Sequence, residues 1–177
     1  ASATAKTAGA NPMNLIDNVK LIQQEKEVSD FVLVVVHGGH EYYNLPSPRM
    51  QKQYRFYVDN GADIVVGHHT HCISGYEIYK EASIYYSLGN FLFTMPSRYA
   101  DWYQGIVLEV LIDDNKLKTK PIFVAQSKNS FMLSIAKDKQ AQELQKRFEE
   151  YSSIIQNESL LYENWKDFVK SKSEYYL

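Results

Sequence analysis

The chain has 177 residues, 45% of them hydrophobic and 23% charged, which is ordinary globular usage and excludes a disordered polymer. Nineteen basic against 21 acidic residues leave a formal charge of −2, so no global positive field is available to hold a nucleic-acid backbone. One cysteine cannot close an intramolecular disulfide, and the longest apolar run, residues 31–36, falls far short of the ~20 residues a membrane-spanning helix needs.

Residues 1–10 are small and polar, without a hydrophobic signal region, and read as a loose segment. Asn11-Pro12 has the form of a helix N-cap followed by proline in the first turn. Leu15, Ile16, Val19 and Ile22 then recur at helical spacing, which predicts a helix to about Glu27 with these residues on one packed face. The run 31–36 is short, unbroken and β-branched. Apolar at every position, it predicts a parallel strand buried on both faces. Ser47-Pro48 opens a second helix with Met50, Tyr54, Tyr57 and Val58 on one side and Gly61 as its stop. Ile64-Val65-Val66 is the next strand, and the alternation of helix and strand is a βαβ-type signature.

Beyond this point the pattern becomes antiparallel. Residues 76–79 and 84–87 flank Lys80-Glu81-Ala82, and residues 106–112 and 117–124 flank Asp113-Asp114-Asn115-Lys116, which predicts two hairpins. In the tail, Leu144, Phe148, Tyr151 and Ile155 line one helical face. Leu160, Leu161, Trp165, Phe168 and Val169 line another. A soft boundary near 127–134 divides the chain into an α/β part, 1–126, and a helical extension, 127–177.

All five histidines lie between positions 37 and 71, directly after the two apolar strands. His37 follows Val36, with Gly38, Gly39, His40 and Glu41 behind it; Gly67-His68-His69-Thr70-His71 follows Val66. In an open α/β sheet the carboxyl ends of neighbouring strands share one crevice, where ligands bind. Imidazoles carried there by two strands make a candidate metal site. A lone histidine after a strand is more often a hydrogen-bonded structural residue, but three within four residues beside a second His-bearing strand end favour metal. On an extended backbone adjacent side chains diverge, whereas His69 and His71 would point the same way. The expected ligands and catalytic residues are therefore His37, His69 and His71. His68 and His40 take supporting places, and Cys72 is expected to be buried packing rather than a ligand.

Three ordered blocks carry a resemblance: Val34-Val35-Val36-His37-Gly38-Gly39-His40-Glu41-Tyr42, Asn60-Gly61-Ala62-Asp63-Ile64-Val65-Val66-Gly67-His68-His69-Thr70-His71, and Tyr85-Tyr86-Ser87-Leu88-Gly89-Asn90-Phe91. Together they resemble the CapA-type capsule-synthesis family, the poly-γ-glutamate biosynthesis or PGA_cap family, a branch of the calcineurin-like metallophosphoesterase superfamily. The likeness covers roughly residues 11–124; the helical tail carries no such motif.

The resemblance implies an α/β fold, the C-terminal portion of a layered metallophosphoesterase-like sandwich in which parallel strands are followed by antiparallel ones. It implies a divalent metal (Zn, Mn or Fe) at His37, His69 and His71, with two ions only in the complete domain. His40, Glu41, His68 and Asn90 would orient ligands or contact substrate; Asn90 has an alternative reading as a turn residue after Gly89. The family's earlier Gly-Asp, Asn-x-Glu and Asn-Asn-His blocks have no match here, so the chain reads as the C-terminal half of a member. Its expected partner is its own N-terminal half or a second copy, and its substrate an anionic polymer or a phosphoester. A cytoplasmic location is favoured over association with the cell envelope. The implied function is capsule or poly-γ-glutamate biosynthesis with a metal-dependent phosphoesterase-type hydrolase site, incomplete in this chain. The alternatives are a non-catalytic polymer-binding or assembly protein with a structural metal, and a metallohydrolase unrelated to capsule.

Overall fold

A computed structural model describes residues 2–4, 6–114 and 116–173. Asn115, in the second expected hairpin turn, lies outside the described residues, as do Ala1, Ala5 and the last four residues of the expected helical extension. The fold is mixed α/β, with parallel strands, antiparallel strands and C-terminal helices.

Helix α1 spans Leu15–Val28 and β1 Leu33–His37; α2, Pro48–Asp59, leads into β2, Ile64–His68. The cap of α1 is Asn14, whose side chain accepts from the Ile16 and Asp17 amides. This corrects the expected start at Asn11-Pro12: the Asn11 side chain instead donates to Asn18, and Pro12 stays outside the helix. The expected packed face is also thinner than its spacing suggested. Ile22 is buried and Val19 packs on the core, but Ile16 is exposed. Helix α2 follows its sequence signals closely. Ser47 accepts from the Met50 amide, Pro48 sits in the first turn, and Gly61 takes the left-handed conformation (φ +115°) that ends the helix.

Strands β3 (Tyr76–Tyr79) and β4 (Ala82–Tyr85) form the first hairpin, closed by Lys80 and Glu81, both with positive φ as a type I′ turn requires. Ala82, expected in the turn, therefore belongs to the strand. The main sheet has the order β1-β2-β4-β3, with β1, β2 and β4 parallel. A second, antiparallel sheet holds β5 (Gln104–Asp113), β6 (Lys116–Gln126) and β7 (Leu133–Ile135). Helices α3 (Asp138–Gln156) and α4 (Glu158–Ser173) complete the chain.

The main sheet separates two apolar clusters. On one face Val36, Val65 and Ile84 pack with Ile22, Tyr54, Tyr57, Ile155 and Leu161, from the three helices α1, α2 and α4 and the end of α3. On the other, Ile64, Val66 and Tyr85 meet Ile106, Phe123, Leu144 and Phe148, from the second sheet and α3. In the tail, Leu161 is buried but Leu160 and Val169 are exposed, so only part of the expected second face packs.

The expectation that β1 is buried on both faces is wrong. Leu33 and Val35 stand opposite Ile64 and Val66 in the parallel register, yet they are 47% and 60% exposed while Ile64 and Val66 are buried. The second sheet covers β2 and β4 and leaves this face of β1, an edge strand, uncovered. Among the described residues no helix is long and apolar enough to cross a membrane.

Candidate functional site

The parallel pairing of β1 and β2 sets His37 opposite His68 at the carboxyl ends of both strands. Gly67 permits the close approach of β2 to the chain beyond β4, because a Cβ there would collide with the Tyr86 carbonyl oxygen. After His68 the backbone is not extended, contrary to the premise from which the side-chain directions were read. His69 (φ 102°) and His71 (φ 59°) both take left-handed conformations that cost non-glycine residues strain. The result brings the rings together by turning the chain rather than by alternation. His69 Nδ1 lies 3.3 Å from His37 Nε2, and the His69 and His71 ring centroids are 6.1 Å apart.

His71 is held differently. Its Nδ1 lies 2.9 Å from Asn90 Oδ1, while the Asn90 amide nitrogen donates to the Trp102 carbonyl at 3.0 Å. The second bond fixes which end of the amide faces the imidazole. Asn90 therefore accepts, His71 Nδ1 carries the proton, and Nε2 presents its lone pair. Asn90 is buried. The His71 ring packs against Trp102 (centroids 4.6 Å) and edge-on to Phe93 (5.2 Å), and Tyr42 stacks on Tyr99 nearby. Trp102 and Thr70 were not marked by sequence. Thr70 is buried, with its hydroxyl 2.8 Å from Ser87 Oγ and its carbonyl accepting from the Tyr42 amide.

His68 is half-buried, and burial, then His37, lowers its pKa. His40 packs against Trp165 (4.7 Å); burial, then His69, lowers its pKa. Glu41 is exposed on a turn and makes no ion pair among the described residues. Cys72 is buried, its thiol pushed up to about 12 by burial, so it stays a protonated packing group.

Two nitrogens bound ~2.0–2.1 Å from one tetrahedral zinc stand about 3.3–3.4 Å apart. The His37–His69 pair matches that spacing. A complete site does not follow, because among the described residues no three His, Cys, Asp or Glu side chains form a group able to hold an ion. The residues present fit a two-nitrogen part of a metal site, and no more than that.

A sequence profile of the family described as "Bacterial capsule synthesis protein PGA_cap" matches residues 1–95. The chain is 35% identical over 153 residues to "Capsule biosynthesis protein CapA" of Bacillus anthracis, which covers 78% of this chain and 37% of that protein. It is 40% identical over 92 residues to "PGA biosynthesis protein CapA" of Bacillus subtilis, covering 52% and 24% respectively. The chain thus spans little more than a third of the length of the first relative and about a quarter of the second.

Proposed function

The chain belongs to the bacterial capsule synthesis family PGA_cap, and from that premise we propose that its crevice is the imidazole part of a divalent-metal hydrolase site serving capsule or poly-γ-glutamate synthesis. The observation that carries this reading is the 3.3 Å approach of His37 Nε2 to His69 Nδ1 at the ends of adjacent parallel strands. Backbone strain at His69 and His71 supports it, since strained residues persist where surrounding structure holds them for a purpose. A bound ion would supply Lewis-acid chemistry towards a phosphoester or amide oxygen. The chain's own residues do the rest. Asn90 keeps the proton on His71 Nδ1 and so leaves Nε2 for the crevice, while burial lowers the pKa of His68. In this reading the anionic donors come from parts of the full-length protein beyond the described residues.

The experiment is calorimetric titration of zinc and manganese into the full-length protein and into this chain alone, with a phosphodiester assay on both. Tight binding and turnover by the full-length protein, lost in His37→Ala and His69→Ala, support the site. The chain alone should bind metal poorly and turn nothing over. Polyglutamate binding by the full-length protein with no metal-dependent turnover would replace this reading with a polymer-binding or assembly role.

A further inference from the structure

The family profile ends at residue 95, yet the loop that follows His37 is held by a helix far beyond it. Loop 38–43 has two sides. One is tied to the exit of β2, where the Gly38 amide donates to the His68 carbonyl at 3.1 Å and the Tyr42 amide to the Thr70 carbonyl at 2.8 Å. The other is covered by aromatic rings of α4. His40 lies 4.7 Å from Trp165 and 5.9 Å from Phe168, and Tyr43 stacks on Phe168 at 4.1 Å with a 22° interplanar angle. Each ring pair of this kind adds stabilisation beyond its buried area.

Helix α4 is well placed to act as a brace. Leu161, Trp165 and Phe168 follow one another at i, i+4 and i+7, so they share a face. Leu161 is buried in the core, and Arg55 of α2 donates to Glu158 at 3.0 Å. The first turn of α4 is therefore fixed to the body of the fold, and the next two turns carry its rings over the loop.

We propose that α4 is a positioning element for the histidine crevice, with Trp165 and Phe168 setting the conformation of loop 38–43 through His40 and Tyr43. This rests on reading the crevice as a functional site, but the loop's dependence on α4 is measurable without any metal. Neither aromatic residue touches the crevice; both act on the segment that leaves His37.

The test is residue-resolved amide hydrogen exchange on the full-length protein. Trp165→Ala should raise exchange at Tyr42 and Tyr43 roughly tenfold while leaving Val65 and Ile84 unchanged, as expected for a local opening. Trp165→Phe, which keeps a ring on His40, should restore protection. His40→Ala removes the loop's side of the same contact with α4 intact, and should also raise exchange at Tyr42 and Tyr43. This second variant decides the matter if Trp165→Ala melts the helix. Unchanged exchange at Tyr42 and Tyr43 in His40→Ala, or an equal rise at Val65 and Ile84, would overturn the proposal. Zinc titration of the wild-type protein is read separately: absence of binding ends the metal reading of the crevice and leaves the exchange result standing.

Discussion

His37 Nε2 and His69 Nδ1 lie 3.3 Å apart although 32 residues separate them in the chain. Neither ring is brought there by its own strand alone. His37 ends β1, and His69 returns to it through a left-handed turn one residue past β2. Two imidazole nitrogens at this distance must share a proton or share a cation. When both are protonated, their like charges repel. A pair so placed, at the carboxyl edge of a parallel sheet, is suited to a common ligand.

Removing the Asn90 amide should loosen the His71 ring without touching either member of that pair. On the proposal that His71 Nε2 joins His37 and His69 at an ion in the full-length protein, Asn90→Ala should weaken zinc binding there by about 10–100-fold, the usual consequence of losing the group that orients a ligating histidine. Asn90→Asp keeps an acceptor for Nδ1 but loses the bond to the Trp102 carbonyl, so it should recover only part of the loss. Equal affinities for Asn90→Ala and wild type, measured by competition with a chromogenic chelator, would show that His71 takes no part in holding the ion.

Elsewhere in the fold an ion pair ties α2 to β3. Arg55 grips the buried Glu77 through two bonds, of 3.0 and 2.7 Å, and the Tyr86 hydroxyl donates to the same carboxylate. Replacing Arg55 with alanine leaves that carboxylate buried without its cation, which costs about 3–5 kcal/mol. Chemical denaturation should show Arg55→Ala destabilised on that scale. Arg55→Lys should recover only part of the loss, because an ammonium cannot form the fork.

At α2 the local signals sufficed, although a signal of the same kind, Asn11-Pro12, misplaced the start of α1. Ser47-Pro48 and Gly61 bounded α2 because a cap, a first-turn proline and a left-handed stop are properties of a few adjacent residues. Lys80-Glu81 marked a hairpin for the same reason, although the tight turn took Ala82 into the strand. The burial of β1 was not legible, because exposure of Leu33 and Val35 depends on what covers a neighbouring strand. The approach of His69 to His37, and of Asn90 to His71, was expected from strand ends and ordered motifs, but the directions of the imidazole rings were not. Alternation of side chains assumes extended backbone, and positive φ at His69 and His71 cancels it. The pairing of His40 with Trp165 left no local trace, since it depends on how α4 returns across the fold.

Tyr54 offers a test of burial on the helical side of the sheet. Its ring is fully buried against Tyr86, and its hydroxyl has no hydrogen-bond partner among the described residues. Burial, then neighbouring Tyr57, pushes its pKa well above the usual tyrosine value. Below about pH 10 both folded and unfolded chains keep the proton, and pH does not act through this group. Above it the unfolded chain ionises first, so stability falls as pH rises. Tyr54→Phe removes an unpaired hydroxyl, and should change stability at pH 7 by no more than about 1 kcal/mol, towards greater stability. Its advantage should widen between pH 10 and 11, where thermal midpoints of the two proteins are compared. A loss of several degrees at pH 7 would mean the hydroxyl has a partner in solution.

The uncovered face of β1 makes a prediction about association. Leu33 and Val35 are exposed apolar residues on an edge strand whose outer side has no strand paired with it among the described residues. Such an edge presents unpaired backbone donors and acceptors beside an apolar surface, the combination that recruits another strand. This chain, by itself, should therefore self-associate at micromolar concentration in sedimentation-velocity runs. Val35→Lys places a charge on the open face, and should shift the chain towards monomer. Because Val35 is already 60% exposed, its folding stability should move by less than about 1 kcal/mol. A wild-type chain that stays monomeric across the concentration range would show that the face is covered in solution by another part of the same molecule. Equal association of wild type and Val35→Lys would place the contact elsewhere on the surface.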